Sequence, residues 1–263
     1  MENVNKNPKH VLAIIGSPRR GNSYRVTQSI EAVLNRLGDV RVEHLFLNRA
    51  ELEPCRGCYR CVARGEQDCP IQDDRPSIVQ RMEAADGVIM VSPVYTLNVT
   101  GLMKNFLGRI AYTAHRPPFL GKPAMLVTTT AGVGQGAALK SLSWFAVPGF
   151  DIVAKLGLVV HPVYANAPAQ QKRVDRQIER AAGRFFRALG SLGRSPGLIR
   201  VIQFNALKAN ADFAGEYYQA DAAYYQQRRW YHRDGEIGRL KRWLGRFFYR
   251  MVLGSIRGQL AKS

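Results

Sequence analysis

No stretch of this 263-residue chain approaches the roughly 18 consecutive apolar residues that a spanning helix needs. The opening MENVNKNPKH is not a basic-then-apolar leader, and the first apolar run, Val11 to Ile15, is too short for one, so the expected location is cytoplasmic. Cysteine is scarce: four residues, all within Cys55 to Pro70. In a reducing compartment that scarcity excludes a disulfide framework and turns a tight group of thiols toward metal or redox chemistry. There is no Gly-Lys-Ser/Thr nucleotide loop and no G-x-G-x-x-G dinucleotide turn, which excludes the two commonest phosphate signatures. His10, His44, His115, His161 and His232 lack metal-ligand spacing. Internal repeats and low-complexity tracts are also missing, which excludes a solenoid.

What is present is a core and an uneven charge. Hydrophobic residues make up 46% and charged residues 22%, enough for a buried interior in a soluble chain. The net charge is +18, and it is lopsided. Residues 1–169 carry 19 basic and 13 acidic residues, whereas residues 170–263 carry 19 and 7. The second part therefore has a strongly basic exposed face or an electrostatic purpose.

Five short apolar runs read as strands: 10–15, 40–47, 87–93, 123–130 and 151–160. Segments of helical spacing alternate with them, near 26–37, 77–85, 100–112, 136–145 and 170–192. Apolar strands alternating with helices predict an α/β fold, a doubly wound five-stranded parallel sheet covered on both faces. Beyond about residue 195 the rhythm stops. A tyrosine-rich segment, 211–236, and a helical tail follow, so the expected organisation is a domain over 1–194 and a basic helical extension over 195–263.

Ligands of such sheets sit beyond the carboxyl ends of the strands. After the first strand comes GSPRRGNSYR (16–25), which offers a sharp turn at Gly16, side-chain donors at Ser17, Asn22 and Ser23, and positive charge at Arg19, Arg20 and Arg25. At a helix N-terminus these suit a phosphate, although a polar turn with a serine cap reads the same way. SPVYTLNVTG (92–101) follows the third strand and TTTAGVGQG (128–136) the fourth, with the flat ring of Tyr95 in one and small residues in the other. Tyr95 is the candidate for stacking or hydrogen bonding near a ligand ring; a structural turn tyrosine is the alternative.

The cysteines are spaced C-x2-C-x2-C-x7-C, with Cys69 before Pro70. Bacterial ferredoxins wrap a cubane with C-x2-C-x2-C and a later Cys-Pro, whereas zinc sites more often pair two separated C-x2-C knuckles. Three readings stay open: an iron–sulfur cluster, zinc, and free or redox-active thiols.

Taken in order, GSPRRGNS, CRGCYRC…C, Asp73–Asp74, ADGVIMVSPVY and TGLMKNFLGR make the chain resemble the flavodoxin-like NADPH-dependent FMN reductases, and within them the iron–sulfur flavoproteins. The resemblance spans about residues 10–165. It implies that Ser17, Arg19, Asn22 and Ser23 hold the FMN phosphate, and that Pro93, Val94, Tyr95 and Asn98 line the ring and ribityl chain. Thr129, Thr130, Ala131, Gly132 and Gly134 would close over the ring's other side. Lys104 and Phe106 would help build the dimer and flank the cofactor. Cys55, Cys58, Cys61 and Cys69 would ligate a [4Fe–4S] cluster. Gly108 stands where an aspartate commonly precedes the arginine, which puts a contact at Arg109 in question.

The function so implied is FMN-dependent oxidation of NAD(P)H, or of reduced ferredoxin, with electrons passed to a small acceptor such as a quinone. The chemistry would be the flavin's. A non-enzymatic flavodoxin-like carrier and a thiol-based redox sensor are the alternatives. A homodimer or homotetramer is the expected assembly. In the tail, Ile237, Leu240, Leu244, Phe247 and Met251 recur at helical steps among Arg239, Lys241, Arg242, Arg246 and Arg250. A helix packed on the core or a second subunit fits this pattern, and so does a peripheral membrane helix over 237–263 or a dock for an acidic protein. Nucleic acid is disfavoured, because no binding motif accompanies the charge.

Overall fold

The computed structural model describes residues 8–161, 167–190, 196–233 and 237–260. The boundary expected between 194 and 195 and the expected end of the 170–192 helix lie outside these residues.

Five parallel strands form one sheet in the order β2-β1-β3-β4-β5. They are β1 (Lys9–Ile15), β2 (Val40–Phe46), β3 (Gly87–Pro93), β4 (Pro123–Thr130) and β5 (Asp151–Val159). This is the doubly wound, flavodoxin-like arrangement that the alternating pattern predicts. Because successive side chains point to opposite faces, each strand feeds two cores. Leu12, Ile14, Val88, Met90, Ala124 and Leu126 face one side, where α3 (Arg75–Ala84), α4 (Gly101–Arg109) and α5 (Gln135–Leu142) cover them. Val11, Ala13, Ile15, Ile89, Val91, Met125 and Val127 face the other, beneath α1 (Asn22–Leu37) and α6 (Pro168–Leu189). Burial on both faces explains why β1, β3 and β4 read as unbroken apolar runs.

Helix α6 buries Ile178, Ala181, Ala182, Phe185 and Leu189 and leaves its arginines in water. Helix α4 is shorter than its pattern predicts. It stops at Arg109, and residues 111–114 form a 3-10 turn that continues the apolar spacing in a tighter winding. Likewise α5 stops at Leu142, where the Ser143 hydroxyl donates to the Leu139 carbonyl and a 3-10 turn begins.

The chain divides into two compact units. The first holds the sheet and its helices. The second gathers residues 56–72 and 111–117 with the described residues beyond 195. Its elements are α2 (Arg60–Ala63) in the cysteine loop, then α7 (Leu198–Phe213), α8 (Gln219–Gln226) and α9 (Arg239–Leu260). Phe204, wholly buried, meets the rings of Tyr225, Tyr231 and His232 at its centre. The Tyr225 hydroxyl donates to the His115 carbonyl at 2.5 Å. Burial raises the pKa of Tyr225 strongly and that of Tyr224 to about 12, so both remain neutral phenols.

Candidate functional site

Three loops meet at the carboxyl edge of the sheet, on the side where strand order reverses between β1 and β3. In the first, the buried Ser17 hydroxyl donates to the Arg19 carbonyl at 2.7 Å, and the Gly21 N–H donates to the same oxygen at 2.9 Å. That tight turn delivers the chain into α1. No side chain caps α1, and its first turn carries no acidic residue. Its leading N–H groups and helix dipole therefore face outward beside the exposed Arg19, an arrangement that suits a phosphate. The Arg20 guanidinium lies 5.6 Å from the rings of both Tyr24 and Phe46. Asn22 is exposed, with its amide 3.5 Å from the Val160 carbonyl.

The second loop is a two-residue hairpin. Tyr95 and Asn98 exchange backbone hydrogen bonds of 2.9 and 3.0 Å, and the turn residues Thr96 and Leu97 have φ of 49° and 59°. Consecutive left-handed residues normally call for Asn-Gly, and a β-branched threonine resists the conformation. The strain, on the order of 1–3 kcal/mol per residue, sits where ligand clamps commonly store it. The turn presents Tyr95, 47% exposed, and Leu97, 58% exposed. Pro93 and Val94 are half-buried at its base. The Asn98 carboxamide oxygen accepts from the Val99 N–H at 2.8 Å and the Ser141 hydroxyl at 2.7 Å.

In the third loop the Thr130 hydroxyl donates to the Val133 carbonyl and accepts from the Gly132 N–H. Ala131, Gly132 and Val133 are exposed. Gly134 has φ of +93°, and a Cβ there would come within 2.9 Å of Val94 Cγ1 and 3.0 Å of Leu97 Cα. Only glycine fits both the angle and the approach.

Cross-links fasten the three loops together. The Ser23 and Thr129 hydroxyls bond at 2.7 Å in the interior, the Val94 N–H donates to the Thr129 carbonyl at 2.8 Å, and the Thr100 hydroxyl donates to the Gly16 carbonyl at 2.6 Å while capping α4. Ser17, Arg19, Asn22 and Ser23 thus share one loop, and Pro93 to Asn98 and Thr129 to Gly134 lie on its neighbours. Two other residues fall elsewhere. Phe106 is wholly buried in the core against Phe145, so its ring is a packing element; Lys104 is exposed on α4.

Arg109 has a partner within the same unit that adjacency in sequence does not suggest. Its guanidinium donates two bonds, at 3.0 and 2.8 Å, to the Asp73 carboxylate, and the two side chains are 3% and 2% exposed. Asp73 also accepts from the N–H groups of Glu53 and Arg75, and Asp74 accepts from that of Glu51. The two aspartates pin the ends of the long segment that carries the cysteines.

The cysteines differ in exposure: Cys55 and Cys58 are exposed, Cys61 is half-buried and Cys69 is buried, with no disulfide among them. Within the second unit, Arg116 holds the middle of the loop. It donates to the Cys61 carbonyl at 2.6 Å and the Val62 carbonyl at 3.2 Å, and pairs with Glu66 at 3.1 Å and with Asp221. His115 Nδ1 lies 2.7 Å from the same aspartate. The Tyr59 ring stands edge-on to His115 and Tyr218, and burial raises the pKa of its hydroxyl. Sequence reasoning misses Arg116 and Asp221 altogether, because a lone arginine and a lone aspartate 105 residues apart carry no spacing signal. Four thiols are a suitable donor set for a cluster, but among the described residues no group of three or more His, Cys, Asp or Glu side chains is placed to hold a metal ion.

An open parallel sheet in this order, with three loops gathered at its switch point, places the chain among the flavodoxin-like α/β proteins, whose ligands sit beyond the carboxyl ends of the strands. The family model for NADPH-dependent FMN reductase matches residues 10–162, and the chain belongs to that family. An iron-sulfur flavoprotein from Archaeoglobus fulgidus is 37% identical over 125 residues, 47% of this chain and 56% of that relative. The chain thus spans little more than half the relative's length. An iron-sulfur flavoprotein from Clostridioides difficile is 26% identical over 202 residues, 76% of this chain and 88% of the relative. Among solved structures, an FMN-dependent NADH-azoreductase from Bacillus anthracis in complex with FMN superposes with a TM-score of 0.52 at 14% identity, over 67% of this chain and 98% of that one. The last likeness shows the fold alone.

Proposed function

We propose that the chain is an FMN-dependent oxidoreductase, fed by NAD(P)H or reduced ferredoxin, that passes electrons to a small acceptor such as a quinone. The observation that carries this reading is the uncapped, carboxylate-free N-terminus of α1 beside Arg19, set among switch-point loops that offer Tyr95 and a small-residue rim. Bound FMN would supply hydride and single-electron chemistry at its ring, so no side-chain nucleophile is required. The first-turn N–H groups of α1 and Arg19, with Ser17, Asn22 and Ser23 around them, bind the phosphate. Pro93, Val94 and Asn98 line the ring and ribityl chain, and Tyr95 orients the ring. The Thr129 to Gly134 loop, with Thr130, Ala131 and Gly132 exposed or half-buried, excludes water from the other side. The links from Ser23 to Thr129 and from Val94 to Thr129 keep that geometry fixed before the ligand arrives.

A [4Fe–4S] cluster on Cys55, Cys58, Cys61 and Cys69 is the finer form of the proposal. It is supported by the cysteine spacing and by the name of the relatives, iron-sulfur flavoprotein. Assembly as a homodimer or homotetramer rests on the family resemblance and is read by light scattering.

Anaerobically purified protein tests both levels. Flavin absorption, with NAD(P)H oxidation that needs both flavin and a quinone, supports the main reading. Flavin retention without turnover by nicotinamide or ferredoxin would reduce the protein to a carrier. Iron and sulfide analysis decides the cluster independently: about four irons per chain supports it, and flavin with none retires it.

A further inference from the structure

Helix α9 packs against α7 through one face and leaves a different one bare. Gly245 sits at the contact, where a Cβ would come within 2.7 Å of the Asn205 side chain and 3.2 Å of Val201, so the absence of a side chain sets the approach of the two helices. Ile237, just before α9, is buried. The outward row is apolar and large: Leu240 is 71% exposed, Trp243 62%, Phe247 53% and Met251 50%. Steps of three and four residues place these side chains on one stripe. Trp243 and Phe247 stack along it, with ring centres 6.4 Å apart and planes at 16°. Arg239, Arg246, Arg250 and Arg257 recur at seven, four and seven residues, which makes a second row beside the stripe, and all four are exposed. Across 239–260 there are six cations and no carboxylate.

We propose that this face of α9 docks on an anionic lipid surface, the helix lying in the headgroup plane. The stripe supplies Trp, Phe, Leu and Met to the acyl boundary, and the neighbouring arginines reach lipid phosphates and carboxylates. No helix among the described residues is long and apolar enough to cross a membrane, so the contact is peripheral. A second copy is a poorer occupant, because a self-complementary contact would bring two six-cation helices together. An acidic protein matches the charge but gives no reason for a continuous apolar row standing next to the arginines.

The test uses the full chain with vesicles of phosphatidylcholine containing about 30% phosphatidylserine. Expected are co-sedimentation at low salt, weakening toward roughly 0.5 M salt as screening sets in, little binding to pure phosphatidylcholine, and a blue shift of tryptophan emission. Trp243→Ser abolishes the blue shift. Arg239, Arg250 and Arg257 changed together to Gln lower the partition coefficient by about a hundredfold, at roughly fivefold per charge. Because all four positions are exposed, the variants keep the native circular dichroism spectrum. The proposal is overturned if the native protein ignores anionic vesicles at low salt. It is also overturned if the chain dimerises through this stripe and Trp243→Ser yields monomers, or if polyglutamate binds while vesicles leave the emission unmoved.

Discussion

Replacing Asp73 with alanine removes a carboxylate that faces the Arg109 guanidinium almost entirely out of water. The pair is bidentate, 2.8 and 3.0 Å, with side-chain exposures of 3% and 2%, and Asp73 accepts two backbone N–H groups besides. Removing one member of a buried ion pair typically costs about 3–5 kcal/mol, because the remaining charge keeps its desolvation penalty and loses its partner's attraction. With a urea slope of about 2–3 kcal/mol/M for a domain of this size, the midpoint should fall by roughly 1–2 M. Chemical denaturation followed by circular dichroism reads the shift. Asp73→Leu combined with Arg109→Met should recover part of the loss, since a packed apolar pair avoids a buried lone charge, while the Glu53 and Arg75 N–H groups still lose that acceptor. Asp74→Ala, which loses an exposed acceptor for one N–H, should cost about 1 kcal/mol. An Asp73→Ala midpoint within about 0.3 M of the native value would refute the argument that this pair fastens the segment.

Other consequences are equally measurable. Burial, helped by Arg228 and Arg200, lowers the His232 pKa from 6.5 to about 3, so the unfolded chain takes up a proton first. Stability from this group is full above pH 6.5 and falls by about 1.4 kcal/mol per unit below it, roughly 2 kcal/mol by pH 5; thermal melts across pH 7 to 5 should flatten in His232→Gln. Thr96→Asn with Leu97→Gly relieves two left-handed residues and should raise stability by about 1–2 kcal/mol, seen as a higher Tm; an unchanged or lower Tm would argue against stored strain. Asp221→Asn withdraws the counter-charge from Arg116, and Cys61 alkylation should quicken about tenfold as the loop opens more often. Phe185→Ala, under the sheet, should cost about 3–5 kcal/mol.

The sheet was easy to read because its chemistry is local. Gly87–Pro93 and Pro123–Thr130 are runs without a polar interruption before their ends, and burial on two faces demands such runs. The loops beyond β1, β3 and β4 were legible as loops for the same reason, since turn residues and arginines collect where strands finish. Helix ends were less so: Ser143 and the tighter turn at 111–114 keep helical spacing while leaving the α conformation. The turn at Thr96–Leu97 was hidden, because nothing in those two residue types asks for a positive φ. Arg116 and Asp221 were invisible on principle: a buried pair between distant segments leaves no trace in either segment's pattern.

That pair bears on where the chain could be shortened. The family match ends at residue 162, yet the guanidinium that grips the backbone of Cys61 and Val62 takes its deepest counter-charge from α8. A chain cut after α6 would still contain every cysteine and every proposed flavin contact, but its thiol loop would lose the carboxylate holding its clasp.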